Sequence, residues 1–105
     1  MVTKEQIQAV ADKIAKEFQP EKIILFGSHA WGEPREISDL DFLIVKKTSK
    51  KKWEREFELR MKLLGNKFPP LDLLIYTPEE MENRQEMGDI FVQEILQKGF
   101  LLYAR

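Results

Sequence analysis

Apolar residues Ile7, Val10, Ala11, Ile14, Ala15 and Phe18 recur three and four positions apart, the spacing that collects side chains on one face of a helix. Thr3 stands ahead of them with Gln6 three places on, a capping pair, so the pattern predicts a first helix from about Lys4 to Phe18, ended by Gln19 and Pro20. The rhythm then changes. Lys22-Ile-Ile-Leu-Phe26 is a short, β-branched apolar run stopped by Gly27, which reads as a buried strand because it is too brief for a helix. Asp41-Phe-Leu-Ile-Val45 and Leu71-Asp-Leu-Leu-Ile75 are two more such runs, the last introduced by Pro69 and Pro70. Ser28 to Ser38 holds Gly32, Pro34 and several charges and reads as a loop, with room for one helical turn after Ser28.

Trp53, Phe57, Arg60, Met61 and Leu64 return to the helical spacing and predict a helix closed by Gly65, with its aromatic residues turned inward as core. Thr77-Pro78-Glu79-Glu80 is a cap, a first-position proline and a capping-box glutamate in order, placing a helix start at Pro78. Gly88 divides that region, and a last helix from Asp89 to Lys98 is expected to face Ile90, Phe91 and Ile95 inward. Phe100-Leu-Leu-Tyr103 is left as an apolar tail that must pack on the domain or on a partner. Helix, strand, loop, strand, helix, strand, helices is the order of an α/β or α+β domain: a small mixed β-sheet flanked by helices, in one domain over residues 1–105.

Size and composition agree with that reading. A chain of 105 residues and 12.4 kDa supports one modest core that buries roughly 65% of the extended-chain surface. At 43% hydrophobic and 33% charged residues it is an ordinary globular composition, not a disordered one. The formal net charge of -1 removes the case for a general nucleic-acid coat, and no sequence-specific nucleic-acid binding is expected. Charge is nevertheless segregated: Lys46 to Lys62 carries a local excess of basic residues, and Glu79 to Asp89 an excess of acidic ones. There is no cysteine and a single histidine, His29, so any metal would be an oxygen-loving one held by carboxylates. No run approaches the length of a membrane span and no secretion signal is evident, which makes the cytoplasm the expected location.

Three acids are hard to explain as packing. Asp39 and Asp41 lie two apart, and alternation along a strand would point both carboxylates to one side, about 6 to 7 Å apart. Asp72 lies inside an apolar strand, where an unpaired carboxylate is costly. If that strand neighbours the second one, three carboxylates meet in the oxygen-rich arrangement that one or two Mg2+ ions require. The turn Gly27-Ser-His-Ala-Trp-Gly32 supplies a complement: Gly27 lets backbone approach a ligand, and Ser28 can donate to a phosphate. It is not a P-loop, since no Gly-Lys-Ser/Thr follows. His29 could touch a phosphate or serve structure; Trp31 could stack on a base or wedge the turn; Arg35 could offset phosphate charge or stand in solvent.

With those residues in view, the chain resembles the minimal nucleotidyltransferases of the DNA polymerase β superfamily. That family carries Gly-Ser-x-Ala-x-Gly after a strand, matched by Gly27, Ser28, Ala30 and Gly32. Ser-Asp-x-Asp follows before an apolar strand, matched by Ser38, Asp39 and Asp41, and a third acid on a later strand is matched by Asp72. The resemblance implies a polymerase β-like fold in which Asp39 and Asp41 coordinate two Mg2+ ions bridging a nucleoside triphosphate. Asp72 would bind the ion that activates the acceptor hydroxyl, and Gly27 and Ser28 would hold the outer phosphates.

Small members of the family resemble the antitoxin of a two-gene pair whose partner is a helical HEPN ribonuclease toxin. The resemblance thus implies an adenylyltransferase that moves AMP from ATP to a hydroxyl, a tyrosine, of that partner. A non-catalytic antitoxin that acts by binding, and a small-molecule transferase of the aminoglycoside-modifying kind, are the alternatives. Homo- or hetero-oligomers are both open.

Overall fold

A computed structural model describes residues 2–32 and 39–105; Pro34, Arg35 and Ser38 lie outside the described residues. The chain runs α1 (Lys4–Phe18), β1 (Lys22–Phe26), α2 (Ser28–Trp31), β2 (Leu40–Val45), α3 (Lys52–Lys62), β3 (Leu71–Tyr76), α4 (Pro78–Glu86), α5 (Ile90–Lys98) and β4 (Phe100–Ala104). Both predicted capping boxes form. Thr3 Oγ1 accepts from the Gln6 amide at 3.1 Å while Gln6 Oε1 accepts from the Thr3 amide at 2.8 Å, and Thr77 and Glu80 repeat the exchange at the start of α4. Each satisfies two amide groups that a helix start leaves without partners.

The strands form one sheet in the order β3-β2-β1-β4, with β1 antiparallel to both β2 and β4, and β2 parallel to β3. Alternation divides the sheet into two faces. Ile23, Leu25, Leu40, Phe42, Ile44, Leu73 and Ile75 pack with Ile7, Val10, Ile14 and Phe18 of α1 and Leu59 of α3. Ile24, Phe26, Leu43, Val45 and Tyr76 pack with Met81 of α4 and with Val92 and Ile95 of α5. Each large apolar side chain removed from water in this way stabilises the fold by about 1.5 to 3 kcal/mol, so the central strands anchor both layers. Among the described residues no helix is long and apolar enough to cross a membrane.

The structure departs from the sequence reading in three elements. First, α3 is turned over. Arg55 and Leu59 form its buried row, while Trp53, Phe57, Met61 and Leu64 are exposed, Trp53 at 68%. The cause is a paired cation. Arg55 donates to Glu80 Oε1 at 2.7 Å and Oε2 at 3.1 Å, to the Ile75 carbonyl and to the Lys50 carbonyl, which satisfies a charge that hydropathy alone would keep outside. Second, α5, started by Asp89 accepting from the Val92 amide, buries Val92 and Ile95 in the cluster with Ile24, Phe26 and Met81, which leaves Ile90 and Phe91 half-exposed or more. Third, the apolar tail is a strand: β4 completes the sheet beside β1, with a bulge between Ile23 and Ile24.

Both outer strands carry side chains on their free edges. The Leu71 and Ile75 carbonyls of β3, which alternate with those used toward β2, accept from Arg60 and Arg55 of α3. On β4, the Leu102 carbonyl accepts from Gln8 of α1 at 3.4 Å.

Candidate active site

The sheet brings two of the three acids together. Asp41 and Asp72 are each the second residue of their strand, and the parallel register pairs them directly. Both therefore point to the face shared with Leu43, Leu74 and Tyr76, on strands roughly 4.8 Å apart. On its other side Asp41 is in register with Phe26, the last residue of β1. The acids thus stand at the end of the sheet where β1 finishes and β2 and β3 begin.

The chain leaves β1 through Gly27, whose φ of 77° and ψ of -156° lie in territory open essentially to glycine alone. An added Cβ there would stand 2.9 Å from Asp41 Cγ and would overlap Asp41 Oδ2. Backbone therefore lies directly on the carboxylate, and no other residue leaves room for both. The Gly27 carbonyl then accepts from the Ala30 and Trp31 amides, closing the single turn α2 that begins with Ser28. Ser28 and His29 are half-buried at its start.

Electrostatics mark Asp41 out. Its carboxyl is pushed up from 3.8 to about 6, chiefly by burial, then by the charge of Asp72, a hydrogen bond shared with Asp72, and the charge of Asp39; His29 pulls the other way. Like charges at this separation hold a proton, or a cation, between them. Asp39 lies one residue ahead of β2 and is exposed, acting on Asp41 through its charge. Among the described residues no three histidine or acidic side chains stand close enough to form a ready metal cluster. The donor set still fits a hard divalent cation: it is all carboxylate oxygen, its charges repel, and the pair is aligned by backbone register.

A model of the family described as polymerase beta, nucleotidyltransferase matches residues 5–105. The chain belongs to that family. Solved structures of nucleotidyltransferase type share its fold. A protein of Sulfolobus solfataricus, provisionally described as a nucleotidyltransferase, superposes with a TM-score of 0.62 at 20% identity, over 96% of this chain and 79% of that one. The spectinomycin adenyltransferase AAD(9) of Enterococcus faecialis, solved with ATP and spectinomycin, superposes with a TM-score of 0.66 at 21% identity. The match covers 99% of this chain but only 57% of the adenyltransferase. No curated protein matches the sequence above background.

Within this nucleotidyltransferase domain, the sequence reading left an aromatic group beside the acids unconnected. Phe26, the register partner of Asp41, contacts Phe91 edge-on at 5.6 Å between centroids and Trp31 at 6.4 Å. Trp31 drew notice in the turn, but the periodicity of α5 had placed Phe91 in the core. The available signal was the pair Val92 and Ile95, three apart, which form the buried row of α5 and turn Phe91 aside.

Proposed function

We propose that the protein transfers a nucleoside monophosphate, AMP from ATP, to a hydroxyl acceptor. The observation that carries this reading is the in-register pairing of Asp41 with Asp72 beneath the Gly27 turn. Asp41 and Asp72 would hold Mg2+ with Asp39 joining from the strand entrance, and the bound metal would supply charge neutralisation at the phosphate oxygens and acidify the acceptor hydroxyl. The chain's own groups do the positioning. Gly27 holds backbone against Asp41, and Ser28 and His29 at the start of α2 would meet the outer phosphates, with Arg35 as a further candidate. Asp72 lies beside Asp41, where it can accept the acceptor's proton. The acceptor oxygen then bonds to the α-phosphorus as the bond to the bridging oxygen breaks, and pyrophosphate leaves.

A protein hydroxyl, a tyrosine of a helical HEPN-type toxin, is the acceptor we favour, which makes the protein an antitoxin. The likeness to a spectinomycin adenyltransferase supports a second reading, a small-molecule hydroxyl as acceptor, though that protein is much longer than the part this chain matches.

The test is intact-mass measurement after incubating the protein with Mg2+, each nucleoside triphosphate and a co-encoded helical protein, with spectinomycin as a parallel acceptor. A gain of one AMP on the partner supports the first reading, and on the antibiotic the second. No gain on either, with binding of the partner retained, would leave neutralisation by binding alone.

A further inference from the structure

The outward side of α3 carries more apolar surface than the fold uses. Arg55 and Leu59 form its buried row, while Trp53, Phe57, Met61 and, just past the helix end, Leu64 are 68%, 60%, 50% and 67% exposed. Their spacing keeps them on one stripe rather than scattered over the surface. At about 200 Å2 for a fully open side chain of this size, the four present about 500 Å2, near the upper limit for the largest apolar patch of a monomer. Two such stripes pressed together would remove about 1,000 Å2 from water, the area at which specific interfaces begin.

The charges beside the stripe select what covers it. A shallow groove of about 520 Å3 runs along it, where Glu54, Glu58 and Lys62 flank Trp53, Phe57 and Met61. Glu56 and Arg60, paired at 2.8 Å, follow the other flank. Each flank is therefore acidic toward the start of α3 and basic toward its end. In a second copy set antiparallel about a two-fold axis at Glu58, Glu54 falls opposite Lys62 of that copy, since both stand four residues from the axis, and Glu56 falls opposite Arg60, both two residues away. The same axis, to within one residue or 1.5 Å of rise, sets Trp53 against Leu64 and Phe57 against Met61. Glu58 is paired with Lys50 of its own chain, which offsets the meeting of two acids on the axis. A surface that complements itself under a two-fold rotation is what an isologous dimer requires, and flanking charges of this kind set helix orientation.

We propose that the protein forms a two-fold dimer in which α3 packs antiparallel on its copy through Trp53, Phe57, Met61 and Leu64. Leu59 seats α3 on the sheet face of Phe42 and Ile44, whereas Asp41 and Asp72 belong to the other face, so both candidate active sites stay open in the dimer. The dimer is thus independent of the transfer reading. Each monomer keeps its own core, and an interface of this size gives a reversible association with a dissociation constant on the order of micromolar.

Sedimentation velocity of the full chain, from sub-micromolar to submillimolar concentration, should show the 12.4 kDa species converting to one of twice that mass. Trp53→Ser with Phe57→Ser should stay monomeric throughout, with an unchanged melting curve at dilution. Lys62→Glu alone and Glu54→Lys alone set like charges against each other and should each weaken the dimer about tenfold or more. An equal mixture of those two variants should associate as the wild type does, because opposite charges then meet at both places. Glu54 also accepts from the Lys51 amide at the helix start, so circular dichroism at dilution checks that each variant is folded. Should Glu54→Lys unfold, Arg60→Glu, restored by adding Glu56→Arg, makes the same test on the opposite flank.

A 12.4 kDa species at every concentration overturns the proposal. So does association that survives Trp53→Ser with Phe57→Ser, or a mixture of folded charge variants that stays monomeric. A different protein that binds this face, with one copy of the chain in the complex, would assign the row to that partner and overturn it as well.

Discussion

Replacing Gly27 with alanine tests the contact on which the site is built. Two costs can be worked from the geometry. The backbone at φ 77° and ψ -156° is strained for any residue with a side chain, by about 1 to 3 kcal/mol. The new methyl would also lie 2.9 Å from Asp41 Cγ. Non-bonded carbons settle near 3.5 to 4.0 Å, so the carboxylate or the turn must move by on the order of 1 Å. A misplacement of that size at reacting groups lowers rate by about 100-fold. The expected outcome is a loss of about 1 to 3 kcal/mol in urea denaturation and a fall of about 100-fold in kcat/KM for nucleotidyl transfer. Activity is measured at a temperature where circular dichroism shows both proteins folded. Wild-type kcat/KM in a folded Gly27→Ala protein would refute the argument, because it would mean that the turn does not bear on Asp41.

Asp41 gives a pH-dependent prediction. Its carboxyl is raised from 3.8 to about 6, so the folded state binds the proton more tightly than the unfolded chain and Asp41 destabilises the metal-free fold progressively as pH rises through that window. Asp41→Asn should therefore stabilise the metal-free protein by about 1 kcal/mol above pH 6, allowing for partial exposure, with the gain vanishing below about pH 4; chemical denaturation at several pH values checks this. Glu80→Gln should cost about 2 kcal/mol, because it weakens the bidentate partner of a buried Arg55 whose side chain is 7% exposed; thermal melts would show it, and no change would sink the reading of Arg55 as a paired internal cation. The outward face of α3 predicts that Trp53→Ser with Phe57→Ser changes stability by less than about 0.5 kcal/mol, whereas Leu59→Ala costs about 2 to 5 kcal/mol; urea midpoints distinguish this from an inward aromatic face.

Local chemistry was the part most readable from sequence. Thr3 with Gln6 and Thr77 with Glu80 announce helix starts because capping acts over three residues, and the strands announce themselves through short apolar runs ended by Gly27 or opened by Pro70. What failed depends on partners distant in sequence. The α3 stripe of Trp53, Phe57 and Met61 looks like a core face until Glu80 supplies the charge that draws Arg55 inward. Phe100 to Ala104 reads as a tail because nothing local reveals that β1 has a free side for it. The acids lie between these cases. Asp39 and Asp41 declare a spacing, but only the parallel register of β2 and β3 sets Asp41 beside Asp72, and Asp39 enters through charge from just outside the strand.

The side chains on the two outer strands have a consequence for how copies of this molecule can meet. Exposed carbonyls along a sheet margin invite a neighbouring chain to add itself as a further strand, which is a common beginning of fibrils. Here Arg55 and Arg60 occupy two of those acceptors on one margin, and Gln8 occupies one on the other. A strand added at either rim would have to displace these donors, whereas the exposed row led by Trp53 and Phe57 on α3 is apolar surface that no backbone acceptor interrupts.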